Sequence, residues 1–126
     1  MRELNMLQDL IDKIKTADYI YDCFYYQELE TRELEDGKIY CAIDPIKKSS
    51  NALKSSKQET IILHFIIKAI DGFKSLLVID EVVEGKLKEN ILSEYIRGIE
   101  MDNSGSPYYD KYYGYVRDLN IKINWK

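Results

Sequence analysis

The sequence predicts a single α+β domain over residues 1–126, with a mixed or antiparallel sheet, two helices packed on one face, and the order α-β-β-β-α-β-β. Two observations predict it: two amphipathic stretches with a 3.6-residue apolar period, and several runs that either alternate or are apolar throughout. The length agrees. With 126 residues, 45% hydrophobic and 32% charged, the chain buries roughly two thirds of its unfolded surface and needs neither a metal nor disulfides to stand up.

The elements follow in order. Leu4, Leu7, Leu10, Ile11 and Ile14 fall on one stripe, with Glu3, Asp9, Asp12, Lys13 and Lys15 largely off it, the pattern of an N-terminal amphipathic helix. From Asp18 the period changes. Residues 19–26 are rich in tyrosine, which favours a strand. Residues 28–36 hold five acidic side chains and one arginine and end in Asp36-Gly37, a solvated loop closed by a turn. Ile39, Cys41 and Ile43 then alternate with Tyr40, Ala42 and Asp44 until Pro45 stops the strand.

Residues 60–70 are so densely apolar and β-branched that they predict a strand covered on both faces, in the interior of the sheet. Asp71-Gly72 ends it. A helix over 73–87 follows, because Leu76, Ile79, Val83 and Leu87 make one stripe while Asp80, Glu81, Glu84 and Lys88 sit mostly on the other side. Gly85 weakens that helix by roughly 1 kcal/mol against alanine. Residues 91–101 read as a strand and 103–107 as a turn. Tyr113, Tyr115, Leu119, Ile121, Ile123 and Trp125 share one parity, interrupted by Arg117, which gives a long C-terminal strand.

Composition narrows the function. Eighteen basic residues against 22 acidic ones leave a net charge of -4, which argues against a sequence-independent grip on nucleic acid. The longest mostly apolar stretch, 61–70, is broken by His64 and Lys68 and falls short of the roughly 20 residues of a membrane span. The N-terminal Met-Arg-Glu-Leu lacks a signal-peptide apolar region, so the expectation is a soluble, intracellular protein. Cys23 and Cys41 lie in apolar runs and read as reduced, buried thiols rather than a bridge. His64 is the one histidine, placed mid-strand with no second ligand at metal spacing, and reads as structural. No glycine loop for a nucleotide and no zinc-ligand cluster occurs, so no enzymatic activity, cofactor or metal is expected.

Three features remain. The serine- and lysine-rich stretch predicts a long exposed loop at 46–58, in which Lys47, Lys48, Lys54 and Lys57, with Leu53 as an apolar anchor, either reach an acidic protein surface or nucleic acid or are merely solvated. Eleven tyrosines exceed an average share. Tyr108, Tyr109 and Tyr112, with Tyr113 and Tyr115, form a cluster suited to a protein interface or to core packing. Base stacking fits less well, for want of flanking cations. The acidic run 28–36 and the helix acids Asp80, Glu81 and Glu84 read as solvated faces. If the protein is an inhibitor or immunity protein of a basic partner such as a nuclease, the run would mimic phosphates.

The order of these parts resembles the tail terminator, or tail completion, proteins of long-tailed bacteriophages and related tail-like particles. The likeness runs through the helix at 4–14, the aromatic strand from Tyr19, and the strand 39–43 leading into Asp44-Pro45-Ile46. It continues through the long loop, the strand 60–70, the helix 73–87 and the closing YYGYVRDLNIKI at 112–123. The resemblance implies a non-enzymatic subunit that forms a homo-oligomeric ring, typically a hexamer, capping the tail tube and facing the head-completion proteins. It also implies assembly in the bacterial cytoplasm and residence in the virion tail. The loop at 46–58 would then reach the tube or a ring neighbour, and the edge strands would pair or pack between subunits. An acidic pore wall would let DNA pass without sticking.

Overall fold

The computed structural model describes residues 2–45, 58–89 and 96–125. Among the described residues, six strands form one sheet: β1 (Ile20–Tyr25), β2 (Ile39–Pro45), β3 (Gln58–Ile67), β4 (Ile96–Ser104), β5 (Tyr108–Asp110) and β6 (Gly114–Trp125). Their spatial order is β1-β2-β3-β6-β4, with β5 also on β6. β1 runs parallel to β2 and every other pair is antiparallel, so the sheet is mixed. As the apolar density of 60–70 predicts, β3 is central. β4 and β5 share one edge of β6, taking its C-terminal and N-terminal parts respectively.

One face of the sheet carries the helices α1 (Arg2–Lys15), α2 (Gly72–Leu77) and α3 (Ile79–Leu87). Leu7, Leu10, Ile11 and Ile14 from α1 meet Leu76, Ile79, Val83 and Leu87 over Ile39, Cys41, Ile43, Leu63, Phe65, Leu119, Ile121 and Ile123. The helical stripes and the strand parities read from the sequence therefore converge on one core, burying side chains worth roughly 1.5–3 kcal/mol each before entropic costs. The other face holds a smaller cluster, Phe24, Leu29, Tyr40, Ala42, Ile66 and Val116. A 3-10 helix, Tyr26–Thr31, lays Leu29 over it.

Four expectations are corrected. The helix expected over 73–87 is two helices, broken at Val78 (φ -107°, ψ 1°). The carbonyls of Leu76 and Leu77, left free by the break, each accept a hydrogen bond from Arg117 Nη1, at 2.8 and 2.7 Å. The acidic run begins as a 3-10 helix rather than a loop, because Glu28 accepts hydrogen bonds from the Tyr25 N–H and from Arg32 Nη2, both at 3.3 Å. β5 is a strand beyond the five of the expected order. Finally, Tyr113 departs from the parity of β6 and packs on the second face, since Gly114, at φ 95°, reverses the alternation there. The residues Lys47, Lys48, Leu53, Lys54 and Lys57 lie outside the described residues.

Candidate functional site

Register gathers five chain segments at one end of the sheet. Ile39 pairs with Ile20 and Ile67, and Ile67 pairs with Tyr115, so the starts of β1, β2 and β6 and the ends of β3 and β5 lie side by side. The Gly37 N–H donates to the Lys68 carbonyl at 2.8 Å and stitches two of these segments together. Two open depressions meet at Gly37. One is bounded by Tyr19, Tyr21, Lys38 and Val78, the other by Lys68, Ile70, Tyr109, Lys111 and Tyr112.

The side chains around them are large, apolar and exposed. Ile70 is 100% accessible, Tyr19 74%, Tyr112 72% and Tyr109 66%, with Tyr21, Phe73, Leu77 and Val78 also exposed. Some rings are held in place from below: Tyr109 and Phe73 both meet Tyr115 edge-on, at centroid distances of 5.4 and 6.5 Å. Tyr19 adopts φ 71°. A bulky residue in the left-handed region costs roughly 1–2 kcal/mol, and here the cost supports an exposed ring rather than core packing.

Cations do accompany these tyrosines, contrary to the sequence expectation. Lys38 Nζ stands 5.1 Å from the Tyr21 centroid and Lys111 Nζ 5.2 Å from that of Tyr112. Asp36 lines one depression and Asp110 closes the β5–β6 turn beside it, so the rim is amphipathic and mixed in sign rather than a phosphate groove. Tyr109 and Tyr112 both line this rim, whereas Tyr108, opposite Val116 in the ladder, faces the second side of the sheet.

There Tyr108 joins a polar group that sequence reasoning missed. His64 Nδ1 lies 2.7 Å from Asp118 Oδ1 and Nε2 lies 3.3 Å from Asp44 Oδ2. The Tyr108 hydroxyl donates to Asp118 Oδ2 at 3.2 Å, and the Tyr26 ring covers the imidazole at 4.5 Å. Burial pulls the His64 pKa down, but the hydrogen bonds and charges of Asp118 and Asp44 outweigh it and raise the pKa above 6.5. Burial and the Asp118 charge push Tyr108 up to about 12. Asp118 sits directly opposite His64 in the ladder, and Asp44 faces Ile62, two residues along β3 from His64. Mid-strand polar residues on the same face of neighbouring strands were the available signal, but it is readable only once the register is known.

With a carboxylate on each ring nitrogen, the imidazole when protonated donates twice and ties β2, β3 and β6 together. Among the described residues, no group of three His, Cys, Asp or Glu side chains is placed to hold a metal ion. The helix acids are not all solvated either, since Asp80 pairs with Arg117. Among the described residues, no helix is long and apolar enough to cross a membrane. Compared with known proteins, the chain matches no family model and no curated protein.

Proposed function

We propose that this chain is a non-enzymatic assembly subunit of the tail-terminator type. It associates with copies of itself in a closed ring, caps a tail tube and presents a surface to head-completion proteins, assembling in the bacterial cytoplasm and ending in the virion tail. The aromatic rim carries the reading. Exposed contiguous apolar surface of this kind marks protein interaction sites, and tyrosine is enriched where such sites bind.

The placement of the rim also supports a ring. It occupies one end of the sheet, which leaves the other surfaces of a neighbouring copy free to receive it, as a ring requires. Head-to-tail contacts of that sort close into rings when the rotation permits. A standard interface takes about 800 Å² from each partner, roughly a tenth of the 7772 Å² that the chain exposes. The resemblance of the sequence to that family in the order of its parts supports the same reading.

Light scattering across protein concentration, alone and with purified tail tubes, tests the proposal. The expected result is a ring-sized mass, free or on the tube, that falls towards the subunit mass in the double variant Tyr109→Ser, Tyr112→Ser. A wild-type protein that stays monomeric and ignores tubes overturns it. A one-to-one complex with a basic nuclease, weakening steeply with salt, would favour the inhibitor reading instead. That reading has less to work with, because Glu28 is engaged by Arg32 and the Tyr25 N–H, and the Glu35 carboxylate by the Tyr21 hydroxyl.

A further inference from the structure

The two cysteines lie far apart in the chain and side by side in the sheet. Cys23 on β1 pairs in register with Cys41 on β2. Both are buried, both are free, and both face the helix-side core. In-register residues on adjacent strands hold their Cα atoms about 4.8 Å apart, inside the window of about 4.4–6.8 Å that a disulfide requires. Burial pushes the Cys41 thiol well up, and a hydrogen bond with Cys23 adds to the shift, so the two sulfurs are in mutual reach.

We infer that Cys23 and Cys41 are a latent dithiol that closes to a disulfide across β1 and β2 when a small-molecule disulfide reaches it, stapling an edge strand to the sheet. Access comes from β1 itself. Among the described residues it pairs with β2 alone, its ladder is irregular between Ile20 and Asp22, and the strained Tyr19 precedes it. Edge strands with few neighbours open locally at lower free energy than the core does.

The chemistry balances. The thiolate of Cys23, exposed when β1 opens, attacks one sulfur of the reagent disulfide, expels one thiolate and forms a mixed disulfide. The Cys41 thiolate then attacks the Cys23 sulfur, expels the second reagent thiolate and closes the protein bridge. The protein loses two electrons and two protons, and one reagent disulfide becomes two thiols. Because Tyr19 and Tyr21 lie at the start of β1, the staple also fixes one side of the aromatic rim. The dithiol itself rests on the register of two strands and stands whether or not the ring proposal does.

The folded full-length protein is incubated with oxidised glutathione, while hydrogen exchange at the β1 amides sets the timescale of opening. The expected product has lost two hydrogens, gives a non-reduced peptide joining Cys23 to Cys41, melts at a higher temperature and reverts with dithiothreitol. In Cys41→Ser the mixed disulfide on Cys23 should persist as a stable glutathione adduct. Persistent adducts on the wild type, a disulfide between two chains, or thiols still reduced after the β1 amides have exchanged each overturn the inference.

Discussion

Arg117 holds Asp80 with both arms of its guanidinium, Nη1 to Oδ1 at 3.1 Å and Nη2 to Oδ2 at 3.2 Å, across 37 residues of chain. The same group donates to the carbonyls of Leu76, Leu77 and Gly105. It therefore fastens the α2–α3 break to β6 and to the link between β4 and β5. Removing it strands a half-buried carboxylate and several carbonyls at once. Arg117→Ala is expected to cost about 2–4 kcal/mol, read as a lower urea midpoint. Asp80→Asn, which keeps an acceptor, should cost about 1 kcal/mol. Equal and negligible effects would show that this junction carries no stability.

The His64 bridge makes stability depend on pH. Its folded pKa is raised above 6.5, so the folded state holds the proton more tightly than the unfolded chain. The resulting stabilisation is complete below about pH 6.5 and is lost as pH rises through the folded value. Urea midpoints should fall over that window in the wild type and stay level in His64→Gln. An imidazole that titrates below 6.5 by NMR would contradict the bridge.

What could be read in advance divides by the range of the interaction. Leu76, Ile79, Val83 and Leu87 needed only helical period, and Ile39, Cys41 and Ile43 only alternation; all seven are buried. Arg117 was visible as a break in an apolar parity, but its partner Asp80 looked like one more solvated helix acid, and nothing local marks Val78 as a breaking point. His64 showed the same limit. Its carboxylates come from two other strands, and a one-residue slip in either ladder would have turned them away. The lysine beside Tyr21 was likewise hidden, since Lys38 arrives there through the parallel pairing of β1 with β2.

Gly114 should tolerate no side chain. It sits at φ 95°, and an added Cβ would lie 2.5 Å from the Ile67 carbonyl oxygen, with Lys68 Cα at 3.0 Å. Both obstacles are backbone atoms, so relief requires moving β3 away from the β5–β6 turn. Gly114→Ala is expected to lose roughly 2–4 kcal/mol. Gly37→Ala, at φ 79° with nothing within 4 Å of the added carbon, should lose only the conformational part, about 1 kcal/mol. Comparing the two melting temperatures separates crowding from strain; equal losses would mean that crowding at Gly114 is relieved without cost.

Tyr19 offers the sharpest separation of stability from association. Its left-handed backbone suits glycine, and its ring is three-quarters exposed, so Tyr19→Gly removes strain while losing little packing. The free energy of unfolding should rise by about 0.5–1 kcal/mol, after allowing for the greater freedom of glycine in the unfolded chain. If the ring is retained for contact with another copy, the same variant should associate more weakly, by tenfold or so for a residue worth about 1.4 kcal/mol at the interface. Denaturation measured at a dilution where the wild type is monomeric isolates the first effect, and sedimentation at higher concentration isolates the second. A variant that is less stable yet associates as before would show that Tyr19 serves the fold and not the rim.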